Sequence, residues 1–134
     1  MNYLGVNWLA VIVAMVASMA LGAAWYMILA KPWMAAVGKT REELQPNDPS
    51  PYIWSVVVQL VMAYFVALLT PLLFGSTNVV NGALCGLHAW AGFVITSMIL
   101  NHRYQDAKWS LTVIDGGYLL GVLVVQGIVI GLFG

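Results

Sequence analysis

The sequence predicts an all-α integral membrane protein of four transmembrane helices, with both termini on the extracytoplasmic side. Three observations carry this. Charged residues are 7% of the 134 residues and hydrophobic residues 62%, against roughly 25% charged in soluble domains, so the chain lacks the charge to cover a water-facing surface. Four apolar stretches each reach the ~20 residues that a spanning helix needs. All five Lys and Arg residues fall in two connections that a four-span chain places on one side. The formal net charge of zero and the absence of a basic cluster argue against nucleic-acid binding. Cys85 is the single cysteine, which excludes an internal disulfide.

The elements form a single transmembrane domain over residues 1–134, with spans at about 4–30, 51–74, 78–101 and 109–133. Span one has no Lys or Arg ahead of its apolar run, and that run is too long for a signal-peptide core, so it is expected to be retained. The connection 31–50 is expected to be a cytoplasmic loop. Within it, Thr40 and Glu43 are spaced as a capping box for a short helix, and Trp33, Met34 and Val37 can lie on the membrane surface. Ser50 is placed to cap span two, with Pro51 in the first turn, and Pro71 predicts a bend near the other end. "GSTN" (75–78) reads as a tight turn into span three. Lys31, Lys39 and Arg41 lie in the first connection, Arg103 and Lys108 in the third. The positive-inside rule makes both connections cytoplasmic.

"LGAAWY", "KPWM", "GKTREEL" and "LTVIDGGYLLG" resemble the small bacterial membrane proteins grouped as domain of unknown function 1761. The likeness extends over nearly the whole chain. It implies four spans in a bacterial cytoplasmic (inner) membrane and carries no activity with it. The positions matching its recurring pattern are Trp25, Tyr26, Trp33, Asn101, Asp115, Gly117 and Tyr118, with basic residues after span three, here Arg103 and Lys108.

Asp115 is the one acid inside a span. It lies about 9 Å inside the boundary marked by Trp109, at 1.5 Å per residue, and an acid facing lipid costs at least ~2.5–3.5 kcal/mol. It should therefore face protein or water. The same depth on the other spans holds Trp25, Tyr26, Gln59, Thr96 and Ser97, of which Tyr26, Gln59, Thr96 and Ser97 are the candidate hydrogen-bond partners. On span four itself, Tyr118 and Gln126 share the face of Asp115 at ~100° per residue. His88, near the middle of span three, is the remaining member of the intramembrane polar core, expected to be buried and hydrogen-bonded. No metal site is expected, since Cys85 and His88 lack a third ligand. No cofactor is expected either: His88 and His102 are about 21 Å apart along a helix and cannot share a haem within one protomer.

Gly117, Gly121, Gly127 and Gly131 lie opposite Asp115 with two GxxxG spacings, and Gly82 and Gly86 repeat that spacing on span three. Such faces let helices approach closely. With span four packed on both sides, a homo-oligomer, first a dimer, is the expected assembly, or else membership of a larger membrane complex. No Ser–His–acid set, carboxylate pair, CxxC or phosphate loop is present, so no enzyme is expected. Two readings follow. One is a non-catalytic accessory or structural membrane component, in which Asp115 is a hydrogen-bonding group. The other is a homo-oligomeric small transporter coupled to a proton or cation through Asp115.

Overall fold

The computed structural model describes residues 5–40, 43 and 49–134. Helix α1 (Trp8–Ile28) starts where Asn7 accepts hydrogen bonds from the Leu9 and Ala10 N–H groups at 3.1 and 3.3 Å, satisfying two of the orphan donors of a helix start. At Leu29 the chain turns directly into α2 (Ala30–Val37), which ends at Gly38 with φ 81°, a left-handed conformation that glycine adopts without penalty.

The start of the expected loop 31–50 is thus helical, and its apolar side packs in part against α6 and α1. Ala36 is buried, and Trp33, Met34 and Val37 are half-buried. The reason is a long-range aromatic contact, with the Trp33 ring edge-on to Tyr26 at 5.6 Å. Beyond α2, the Thr40 N–H donates to Glu43 Oε1 (3.1 Å) and the Glu43 N–H to Thr40 Oγ1 (3.3 Å), the two bonds of a capping box. The short helix expected after it lies outside the described residues.

The backbone N–H of Thr40, then its hydroxyl, hold the Glu43 carboxyl below its ordinary range. A depressed pKa means that the box is present above the unfolded-state value and is lost as pH falls through the folded-state one. The protection of the Thr40 amide relative to its intrinsic exchange rate should therefore fall on acidification, and in Thr40→Ala the Glu43 titration midpoint, followed by NMR, should rise. An unchanged Glu43 midpoint would contradict the assignment.

Helix α3 (Ser50–Phe74) follows Pro49 and has Pro51 in its first turn. Ser50 is therefore the first helical residue and not the cap. The helix continues through Pro71 to Gly75, which takes φ 88°. Asn78 accepts from the Asn81 N–H at 2.8 Å and starts α4 (Val79–Ala89). A π-helical turn, Trp90–Val94, joins α4 to α5 (Ile95–Tyr104). Helix α6 (Trp109–Phe133) closes the chain.

Among the described residues, four rods are long and apolar enough to cross a membrane: Trp8–Ile28, Ser50–Phe74, Val79–Tyr104 and Trp109–Phe133. Side chains such as Leu9, Ile12, Val61, Phe65 and Leu132 are exposed around the bundle, an apolar outer surface of the kind that suits a hydrocarbon solvent. Helix α6 is central and packs against every other helix. One end of the bundle carries Lys31, Arg103 and Lys108 and is called the basic end below. The other carries Asn7, the 75–78 turn and Gly134. Near that terminal end Val6, Ala10, Val11, Ala14, Ala63, Val66, Ala67, Leu123 and Ile130 form the apolar core, its alanines letting α1 and α3 approach closely.

Candidate functional site

The bundle holds a ladder of polar side chains. Gln59, 4% exposed on α3, sits at its centre. Ser18 Oγ on α1 donates to Gln59 Oε1 at 2.6 Å. Gln59 Nε2 donates to the Tyr118 hydroxyl on α6 and to Ser55 Oγ, both at 2.8 Å. Gln126, one further rung along α6 and fully buried, donates through Nε2 to Ser18 Oγ (3.1 Å) and to the Gln59 backbone carbonyl (3.0 Å). That carbonyl can only accept, which fixes the orientation of the Gln126 amide. Its Oε1 is buried with no donor among the described residues.

Towards the basic end the Tyr26 hydroxyl donates to Asp115 Oδ1 at 2.6 Å. The Tyr26 ring also crosses that of Tyr118, with centroids 5.0 Å apart, so Tyr26 joins the carboxylate to the ladder by ring contact. Two indoles pin the turn that carries Asp115. Trp25 Nε1 donates to the Ile114 carbonyl (3.1 Å) and Trp90 Nε1 to the Gly116 carbonyl (2.8 Å), each using the lone pair the helical bond leaves free. Gly116 and Gly117 make room: a β-carbon at Gly117 would lie 3.1 Å from the Trp25 ring, and one at Gly116 2.7 Å from Ile95 Cδ1.

Sequence depth counting thus brings together Tyr26 with Asp115. Gln59, expected at Asp115 by the same count, bonds instead to Ser18, Ser55 and Tyr118, because equal depth does not fix the side of the helix it faces. The count places Trp25 at the level of Asp115 but does not foresee Ser18, Ser55, Trp90 or the backbone carbonyls that the two indoles bond.

Three further expectations need correction. Thr96 and Ser97 do not reach Asp115. Both are exposed, and their hydroxyls turn back to the carbonyls of Gly92 (2.9 Å) and Phe93, Ser97 also to Val94 (3.0 Å). The π turn widens the helix there and disturbs the regular bonding of its carbonyls, and these hydroxyls bond to them. His88 is not part of the polar core. It is exposed on the outside of α4, with Nδ1 on its own Leu84 carbonyl (2.7 Å) and its ring edge-on to Phe74.

The glycine faces are also used within one chain. A β-carbon at Gly82 would fall on the Gly127 carbonyl, one at Gly86 on Leu123, and one at Gly131 on Asn78. Gly117 meets Trp25, and Gly121 meets Leu21 Cδ2 at 2.8 Å. The observation that suggested a second copy is thereby accounted for inside the monomer. Gly121→Leu should accordingly lower unfolding stability by about 1–3 kcal/mol through overpacking, without changing the mass of the protein in lipid discs. A change in mass at unaltered stability would reverse that conclusion.

At the basic end Arg103 stacks over Trp109 (3.7 Å) and donates from Nη2 to the Ala107 carbonyl and Thr112 Oγ1, both at 3.0 Å, while His102 Nδ1 lies 2.6 Å from the same Thr112 oxygen. At the terminal end a cleft of about 190 Å³ is lined by Val6, Ala10, Ala67, Pro71 and Ile130 among others. No rung of the ladder reaches it. The ladder therefore begins at one ionisable group and ends at an amide behind an apolar layer.

Residues 9–131 match the model of a family described as "Protein of unknown function (DUF1761)". No curated protein and no solved structure matches the chain.

Proposed function

Because the chain belongs to the DUF1761 family, whose description names no activity, we propose from its own geometry that it is a non-catalytic structural or accessory component of a bacterial inner membrane. The observation that carries this is the closure of the ladder. Ser18, Ser55, Gln59, Tyr118 and Gln126 bond to one another, with only Gln126 Oε1 of this set buried without a donor among the described residues, and the apolar core lies beyond Gln126. Such a network fixes which helix faces meet, since an unpaired polar group in a dry interior is costly. In this reading the basic connections face the cytoplasm and both termini face outward. Assembly, as a dimer or in a larger complex, uses the apolar outer surface, because the glycine faces are occupied within the chain.

Reconstituted into liposomes, the protein should pass no protons or monovalent cations above protein-free vesicles, and it should co-purify with a larger assembly when extracted gently from its own membrane. A pH-dependent flux abolished by Asp115→Asn would replace this reading with the coupled transporter.

A further inference from the structure

We propose that Arg103 binds a phosphate group at the basic end, supplied by an anionic lipid headgroup or by a soluble phosphate. Its guanidinium is held in place by three contacts. Cζ lies 3.7 Å from the centroid of the Trp109 ring. Nη2 donates to the Ala107 carbonyl and to Thr112 Oγ1, both at 3.0 Å, and Thr112 is itself buried on α6.

These contacts use hydrogens and leave the charge unbalanced. A carbonyl and a hydroxyl are neutral, and a guanidinium keeps its proton in proteins. No carboxylate among the described residues pairs with it. Asp115 takes the Tyr26 hydroxyl and Glu43 the Thr40 N–H, while Asp106, in the same connection, makes no ion pair with Arg103. One nitrogen remains for a ligand from outside. Nη1 has no acceptor among the described residues and, unlike Nε, is not enclosed.

The ligand that suits such a group is an anion with oxygen acceptors, and a guanidinium matches phosphate oxygens in geometry as well as in charge. Tyr104 beside Arg103 and Trp109 stacked on it are 86% and 57% exposed, and these residue types gather at the level of lipid headgroups. The inference rests on the membrane placement proposed above and not on the role given to the ladder. A staple that only closed the α5–α6 connection would use Nη2 and the Trp109 stack and would be indifferent to the lipid.

The test uses the full chain in discs of phosphatidylcholine, whose phosphate is balanced by its own choline, with a rising fraction of phosphatidylglycerol at constant ionic strength. The unfolding temperature should rise saturably with phosphatidylglycerol. In Arg103→Gln the apparent affinity should fall about fivefold or more, and in Lys31→Gln, which removes an exposed cation of the same end, it should not change. A rise with sodium phosphate over sodium chloride in pure phosphatidylcholine discs, without one from phosphatidylglycerol, assigns the site to a soluble phosphate. The wild-type chain gives a second readout that no folding defect can obscure: phosphorus of the bound group should dephase the Arg103 side-chain nitrogens in solid-state NMR. No rise with either probe, equal losses in Arg103→Gln and Lys31→Gln, or no phosphorus contact at Arg103 would each overturn the proposal. Its failure would leave the packing role of the ladder intact, whereas ion flux would remove that role and leave the phosphate response unchanged.

Discussion

Gly82→Val is expected to cost more than about 3 kcal/mol, the upper end of ordinary overpacking, and so to leave little folded protein. The added β-carbon would occupy the position of the Gly127 carbonyl, and a β-carbon at Gly127 would in turn meet the Gly82 carbonyl. Both obstacles are backbone, so no side-chain rotation relieves them. Separating α4 from α6 would also lift Gly86 off Leu123 and Gly131 off Asn78, because the three contacts lie along one seam. Gly92→Val is the matched control. Gly92 is exposed in the same rod and a β-carbon there meets nothing within 4 Å, so its effect should stay within about 0.5 kcal/mol. Equilibrium unfolding of both variants in lipid discs decides the matter. Comparable stabilities for the two would show that the α4–α6 seam is not the closest contact of the bundle.

Gln59→Leu should destabilise by about 2 kcal/mol. The side chain keeps its approximate volume, so the effect isolates the hydrogen bonds. Three are lost: from Ser18, to Tyr118 and to Ser55. Interhelical hydrogen bonds within membranes average only ~0.6 kcal/mol each, which sets the total. Ser18 has a fallback in the Met15 carbonyl at 2.9 Å, and Gln126 keeps the Gln59 backbone. The loss therefore falls mainly on Tyr118 and Ser55. Tyr118→Phe removes one of the three bonds and should cost about a third as much. A Gln59→Leu protein as stable as wild type would mean that the ladder does not hold the helices together.

The four rods of spanning length were legible because four long apolar runs stand out in a chain with so few charges and turn residues mark the ends: Asn78 caps α4 and Gly75 stops α3. Depth was legible too, since a fixed rise per residue places Tyr26 level with Asp115 on an antiparallel neighbour. Azimuth was not. Thr96 and Ser97 share that depth, yet a π turn that no periodicity announces lies just before them, and both stand on the exposed side. His88 was misplaced for the same reason, since a midplane count says nothing about which side of α4 meets protein. The glycine spacings predicted close approach, but the pattern reads identically whether the partner helix belongs to the same chain or another. Helix α2 escaped because its docking depends on Trp33 meeting Tyr26. The indole bonds to the Ile114 and Gly116 carbonyls escaped because backbone acceptors leave no signature in a sequence.

The closed state of the ladder can be measured at Ser18, which is fully buried and bonded to both Gln59 and Gln126. With the native cysteine removed as Cys85→Ser, Ser18→Cys places a small thiol at the middle of the polar network. A membrane-impermeant methanethiosulfonate reagent applied to either face of sealed vesicles should leave that thiol unmodified in the folded protein and modify it after unfolding. Modification of the folded protein from either face would show that water reaches Ser18, and the ladder would then be part of an aqueous path and not a closed packing element.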